Sequence, residues 1–215
     1  MQATIHTGLK ILVMACALTA IAAIPASAQE VAEVWLNKTT EKLSNKGVET
    51  SFRINEENIR TSGKLLMEGE KFAYITEEMK IWYDGTTQWT LQTGNGYNEL
   101  YINSPTNDEQ QAMNPYLLLS NYKENFTATD GGDVSLNGKP VHLVKLQAND
   151  QSAEVKAVDL YISKDNTLAA IVFVAANGPS YKIEIRSMRN GLTFPKGTFT
   201  YQPEAYPADE VIDLR

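Results

Sequence analysis

A mostly-β domain with a small number of helices, built as an antiparallel meander, is the fold class this sequence predicts. Three observations carry that expectation. Apolar and polar residues alternate with period two through most of the chain after Glu49, and side chains two apart share a face of a strand. Turn residues fall between the alternating segments at hairpin spacing: Asp84-Gly85, Gly94-Asn95-Gly96, Asn137-Gly138, Lys164-Asp165-Asn166 and Asn177-Gly178. Two stretches, near residues 30–44 and 115–121, break the alternation with helical patterning.

The N-terminus reads as a secretory signal peptide. Lys10 supplies the positive charge, an apolar run spans Ile11 to Ile24, and Pro25-Ala26-Ser27-Ala28 offers small residues for cleavage after Ala28. The run is shorter than the roughly 20 apolar residues of a membrane span. Cys16 lies inside it, with Met14 where a lipidation signal needs a small residue. Residues 29–215 are then expected to form one domain without cysteine, so disulfides, thiolate metal sites and cysteine nucleophiles are excluded. The chain carries a formal net charge of −7, which argues against nucleic acid as a partner. No further stretch approaches a membrane span.

Glu30 to Ser44 is predicted as the first helix, with Val31, Val34 and Trp35 at helical spacing. The strands follow. Phe52 and Ile54 alternate with Arg53 and Asn55; Leu65 and Met67 flank Leu66; Phe72 and Tyr74 flank Ala73. Ile81-Trp82-Tyr83 and Gln88-Trp89-Thr90-Leu91 sit either side of Asp84-Gly85, ahead of Leu100-Tyr101-Ile102. Asn114-Pro115 then marks a helix start, since Asn caps well and Pro suits the first helical position. A short, very apolar helix is expected from Pro115 to about Asn121. Strands resume at Val134–Leu136, Val141–Gln147, Val158–Ile162, Leu168–Val174 and Tyr181–Arg186, with a last short strand at Phe199–Tyr201.

Catalytic chemistry finds little support. The one histidine after the leader is His142, in a strand-like run with no recognisable acid or nucleophile motif beside it, and it is read as a strand histidine on a solvated or satisfied position. One histidine without cysteine is a poor start for a metal site. Glu56-Glu57, Glu77-Glu78 and Asp108-Glu109 read as solvated acidic pairs, and Gly131-Gly132-Asp133 as a turn rather than a phosphate loop. No catalytic residue, metal or cofactor is assigned. What remains is a surplus of large apolar side chains in a sheet. They form either an ordinary core or a lined cavity under helices; periodicity does not separate the two.

Several segments, in this order, resemble the periplasmic outer-membrane lipoprotein carrier family, LolA. They are Thr50-Ser51-Phe52-Arg53, Gly63-Lys64-Leu65-Leu66-Met67, Lys71-Phe72-Ala73-Tyr74, the hairpin Asp84-Gly85-Thr86-Thr87-Gln88-Trp89, and Asn114-Pro115-Tyr116-Leu117-Leu118-Leu119. Phe199-Thr200-Tyr201-Gln202-Pro203 and Glu210-Val211-Ile212-Asp213 complete the series. The resemblance implies a strongly curved antiparallel sheet, an unclosed half-barrel covered by a helical lid. It implies a monomeric, non-enzymatic periplasmic chaperone whose apolar cavity shields lipoprotein acyl chains between an inner-membrane releasing transporter and an outer-membrane acceptor. A carrier or sensor of another lipid, a fatty acid or glycolipid, is the alternative, and a carboxylate hydrolase is a third reading of a different class. Phe52, Leu65, Met67, Phe72, Tyr74, Trp89 and Leu91 are expected to face the cavity; Trp35, Leu117 and Leu118 are expected in the lid. One departure stands out. The family typically carries an Arg-Pro step before the Phe-x-aromatic strand, whose arginine helps hold the lid shut, whereas Glu68-Gly69-Glu70-Lys71 has neither residue.

Overall fold

The computed structural model describes residues 26–44, 46–56, 59–106, 110, 113–177 and 180–215. The expected leader up to Pro25 with Cys16, and also Glu57, Asp108, Glu109 and Gly178, lie outside the described residues. A helix α1 (Ala26–Ser44) precedes six strands: β1 (Gly47–Glu56), β2 (Ile59–Glu68), β3 (Lys71–Ile75), β4 (Met79–Tyr83), β5 (Gln88–Gly94) and β6 (Tyr97–Asn103). A helix α2 (Pro115–Asn125) then leads into β7 (Phe126–Leu136), β8 (Lys139–Ala148), β9 (Val155–Ile162), β10 (Leu168–Ala175), β11 (Tyr181–Leu192) and β12 (Glu210–Asp213).

All twelve strands belong to one sheet, ordered β12-β6-β5-β4-β3-β2-β1-β11-β10-β9-β8-β7. The chain walks outward from β1 to β6, crosses to the far edge through α2, and walks back from β7 to β11. β11 closes antiparallel on β1, and β12 adds parallel to β6. The end strands β12 and β7 do not pair, so the sheet is open. It is also bent. β4 and β10 are five strand steps apart, about 24 Å across a flat sheet, yet Ile81 and Phe173 line one cavity.

Local chemistry explains the elements. Asn95 with Gly96, and Asn137 with Gly138, all adopt positive φ in the hairpin turns, as a two-residue turn of this hand requires. The β4–β5 connection is longer than a tight hairpin: Asp84 Oδ1 accepts from the backbone N–H groups of Thr86 and Thr87, both at 2.9 Å, and so fixes a four-residue loop. The buried stripe of α1 is Ala32, Leu36, Thr39 and Leu43, spaced four, three and four as one helix face demands. Val31 and Val34, at helical spacing in the sequence, lie off that face and are 42% and 51% exposed. Helix propensity is satisfied either way; the neighbours of α1, which are β7, β8 and α2, choose the face.

Two further expectations are corrected. Gly131-Gly132-Asp133 is no turn: β7 runs straight through it, with a bulge between Asp130 and Gly132. Phe199–Tyr201 is no strand. The last strand is β12, and residues 193–209 cross the outer face of the sheet as an irregular strap. There Phe194, Phe199, Tyr201 and Tyr206 cluster around Trp82, Leu91 and Leu100.

Candidate functional site

The inner face of the sheet does not fill itself. Between β1–β4, β10 and β11 on one side and the two described helices on the other lies a cavity of about 350 Å³. Its buried floor comes from Phe52 of β1, Leu65 and Met67 of β2, and Ile171 and Phe173 of β10. Leu43 closes it from α1, and Pro115 and Leu118 from α2. Tyr74, Met79, Tyr181 and Ile183 are half-buried around it. Two stacked ring pairs stand on its wall, Phe52 on Tyr74 at 5.1 Å and Phe173 on Tyr181 at 4.8 Å. Among the described residues that line it, none is charged, and burial pushes the Tyr74 phenol above its ordinary pKa. Met67, Met79, Met113 and Met188 all contribute. Thioether chains adapt to irregular apolar shapes, which suits a space whose contents vary.

Of the residues singled out from sequence, Phe52, Leu65, Met67, Tyr74 and Leu118 stand on the cavity wall. Phe72 points to the same side but is fully buried beside it, tilted on Tyr83 at 5.6 Å. Trp89 and Leu91 do not face the cavity. Register pairs Trp82 with Trp89, and paired residues share a face, so β5 turns both Trp89 and Leu91 outward beneath the strap. Leu117 is buried on α2 but does not line the cavity, and neither does Trp35. Trp35 stacks on His142 instead, at 4.4 Å and 11°.

His142 is a satisfied strand residue. Its Nδ1 lies 2.9 Å from Asp133 Oδ1 and its Nε2 2.6 Å from Asp130 Oδ1. Asp130 and Asp133 are three apart and would face opposite ways in a regular strand; the bulge in β7 brings both to the ring. With Trp35 over its face, the imidazole pins α1 to β7 and β8.

Sequence reasoning missed the far half of the wall. Ile171, Phe173, Tyr181, Ile183, Ile185 and Met188 come from β10 and β11, whose alternation was visible but whose place beside β1 was not. A second bulge, between Ser51 and Phe52 in the β1–β11 ladder, shifts parity so that Ile185 and Met188 both face inward.

Asn114 caps α2, as its place before Pro115 predicts: its Oδ1 accepts from the Tyr116 N–H at 3.0 Å. Its Nδ2 also donates to the carbonyl oxygens of Gly69 at 3.1 Å and Glu70 at 3.2 Å. Thus α2 is tied to the β2–β3 turn, the very stretch that lacks the family's arginine. Lys123 of α2 pairs with Glu33 of α1 at 2.9 Å and joins the two helices.

An open, curved sheet with a charge-free hollow under helices is the architecture of a carrier fold for apolar molecules. The chain belongs to the family of the outer membrane lipoprotein carrier protein LolA, whose family model matches residues 22–192. The match ends with β11, so the strap and β12 lie beyond it. An uncharacterized conserved protein from Thermus thermophilus superposes with a TM-score of 0.59 and 12% identity, over 85% of this chain and 99% of its own. A DUF1329 family protein from Desulfovibrio piger gives 0.50 and 8% identity, over 81% of this chain and 98% of its own. Identities this low speak for the fold alone. No curated protein matches the chain in sequence. Among the described residues, no helix is long and apolar enough to cross a membrane.

Proposed function

We propose that this protein is a periplasmic lipoprotein chaperone. It is exported by residues 1–28, works as a single monomeric domain over residues 29–215, and shields lipoprotein acyl chains in the cavity. Cargo arrives from an inner-membrane releasing transporter and leaves to an outer-membrane acceptor. The observation that carries this reading is the unfilled, charge-free hollow between sheet and helices. Each methylene moved from water into such a space is worth roughly 0.8 kcal/mol, so an acyl chain cannot cross an aqueous compartment uncovered. Family membership supports the same reading. The test is release: residues 29–215 mixed with membranes bearing a triacylated lipoprotein should yield a soluble 1:1 complex when the releasing transporter is supplied. Failure to accept any lipoprotein sinks the proposal.

A second reading rests on the size of the hollow. About 350 Å³ lies near the lower end of small-molecule sites, roughly 300–1,000 Å³, which suits one acyl chain better than three. A carrier or sensor of a fatty acid or glycolipid fits that volume. Native mass spectrometry of protein purified from cells separates the two, since a small lipid adduct marks the second.

A further inference from the structure

Thr50 is out of place in an otherwise greasy wall. It sits in β1 between Leu65 of β2 and Met188 of β11, its paired neighbours on either side, and all three line the cavity. Tyrosine phenols apart, it carries the one polar side-chain atom among the described lining residues. It is 3% exposed, and its Oγ1 has no hydrogen-bond partner. Among the described residues, the other buried side-chain polar atoms without partners, Thr39 Oγ1 and Gln88 Oε1, belong to residues that do not line the cavity.

A buried hydroxyl left unpaired opposes folding. Valine has nearly the same shape, suits a strand as well and carries no such penalty. A ligand oxygen delivered to Oγ1 removes the penalty, and a plain hydrocarbon does not. We infer that Thr50 is a specificity residue: the cavity takes an acyl chain whose carbonyl oxygen accepts a hydrogen bond from Thr50 Oγ1. The hydrocarbon then runs along β1 past Phe52 toward Ile54, a distance of about 13 Å at the rise of a strand. An ester and a free carboxyl share the recognised group, since each offers a carbonyl oxygen. The inference rests on the carrier reading above and narrows its ligand from apolar molecules in general to oxygenated acyl chains.

The experiment compares the wild type, Thr50→Val and Thr50→Ser by titration with hexadecane, methyl palmitate and palmitic acid. The wild type is expected to bind both oxygenated probes more tightly than hexadecane. Thr50→Val should lose about five- to tenfold in affinity for those probes, the worth of one net hydrogen bond, and keep its hexadecane affinity. Thr50→Ser, which retains the hydroxyl, should restore the preference. Binding of both oxygenated probes points to an acyl ester as the natural group, and binding of palmitic acid without the ester points to a free fatty acid; either supports the inference. An equal loss for all three probes, or no change for any, overturns it and leaves the carrier reading standing. A wild type that binds none of the three overturns both. A thermal melt of the ligand-free proteins gives an independent check. Thr50→Val should melt no lower than the wild type, and a clear drop would reveal an internal partner for the hydroxyl and overturn the inference.

Discussion

The two faces of the N-terminal half of the sheet are both apolar, and they end differently. On the outer face, Ala73, Trp82, Leu91 and Leu100 are covered by the chain's own strap. Trp82 meets Tyr206 at 5.2 Å and Tyr201 at 5.7 Å, and Phe194 meets Phe199 edge-on at 5.4 Å. Tyr201 locks the strap by donating its hydroxyl to the Tyr206 carbonyl at 2.6 Å. On the inner face, Met67, Tyr74 and Ile81 look into a hollow that α1 and α2 bridge without filling. Alternate residues of the same strands thus build a sealed interface and an open one. Apolar character alone does not mark a binding surface; what distinguishes the faces is whether the protein supplies its own cover.

That contrast can be broken in a graded way. The largest effect is expected on the sealed side. Trp82→Ala removes the ring that both strap tyrosines pack on and should cost about 3–5 kcal/mol of stability, as for other buried aromatic truncations, while chemical denaturation of the ligand-free protein reports it. If the mutant is as stable as the wild type, the strap is not held by this cluster. Next comes the tie between the faces of the hollow. Asn114→Ala loses the helix cap and both bonds to the β2–β3 turn, with an expected cost of about 2 kcal/mol. Amide exchange should speed up in α2 before it does in β8, and uniform exchange would show that α2 has no separate opening. Smaller in stability, though large in binding, is Ile183→Trp on the half-buried rim. An indole there occupies the hollow, so lipid binding should fall at least tenfold while stability moves by about 1 kcal/mol or less; retained binding would place the ligand elsewhere.

The smallest effect concerns the outer edge. Arg215, through its side chain and its backbone N–H, holds the Asp213 carboxyl down at about 2. A carboxyl depressed in the folded state contributes above its unfolded value near 3.8, and that contribution fades as pH falls through about 2. Acidification over this window should loosen β12 ahead of β6, visible by exchange or by NMR. The pair is solvent-exposed, so salt should blunt the effect.

Much of the fold was legible because it is locally encoded. Asn137-Gly138 makes its turn from its own backbone preferences, Asn114-Pro115 starts α2 from its own cap chemistry, and most strands follow from alternation. Five of the residues named from sequence, Phe52, Leu65, Met67, Tyr74 and Leu118, stand on the cavity wall. The misassigned faces share one cause. Trp89 and Leu91 alternate as well as any cavity residue, but their face is set by pairing with β4, not by their own pattern. Val31 and Val34 are as apolar as the buried stripe of α1, and only the neighbours of that helix decide which stripe is covered.

Sequence alone determined most of the turns, both described helices and most of the alternating segments, because these depend on residues close together along the backbone. Tertiary structure decided which face each alternating segment shows, how two bulges reset that parity, and that one apolar face is covered by the strap while the other stays hollow. Some of them depend on partners more than a hundred residues away, as where Ile185 lies across from Phe52 and Tyr206 covers Trp82. A one-residue shift in register exchanges inside for outside, and no local pattern can record that choice.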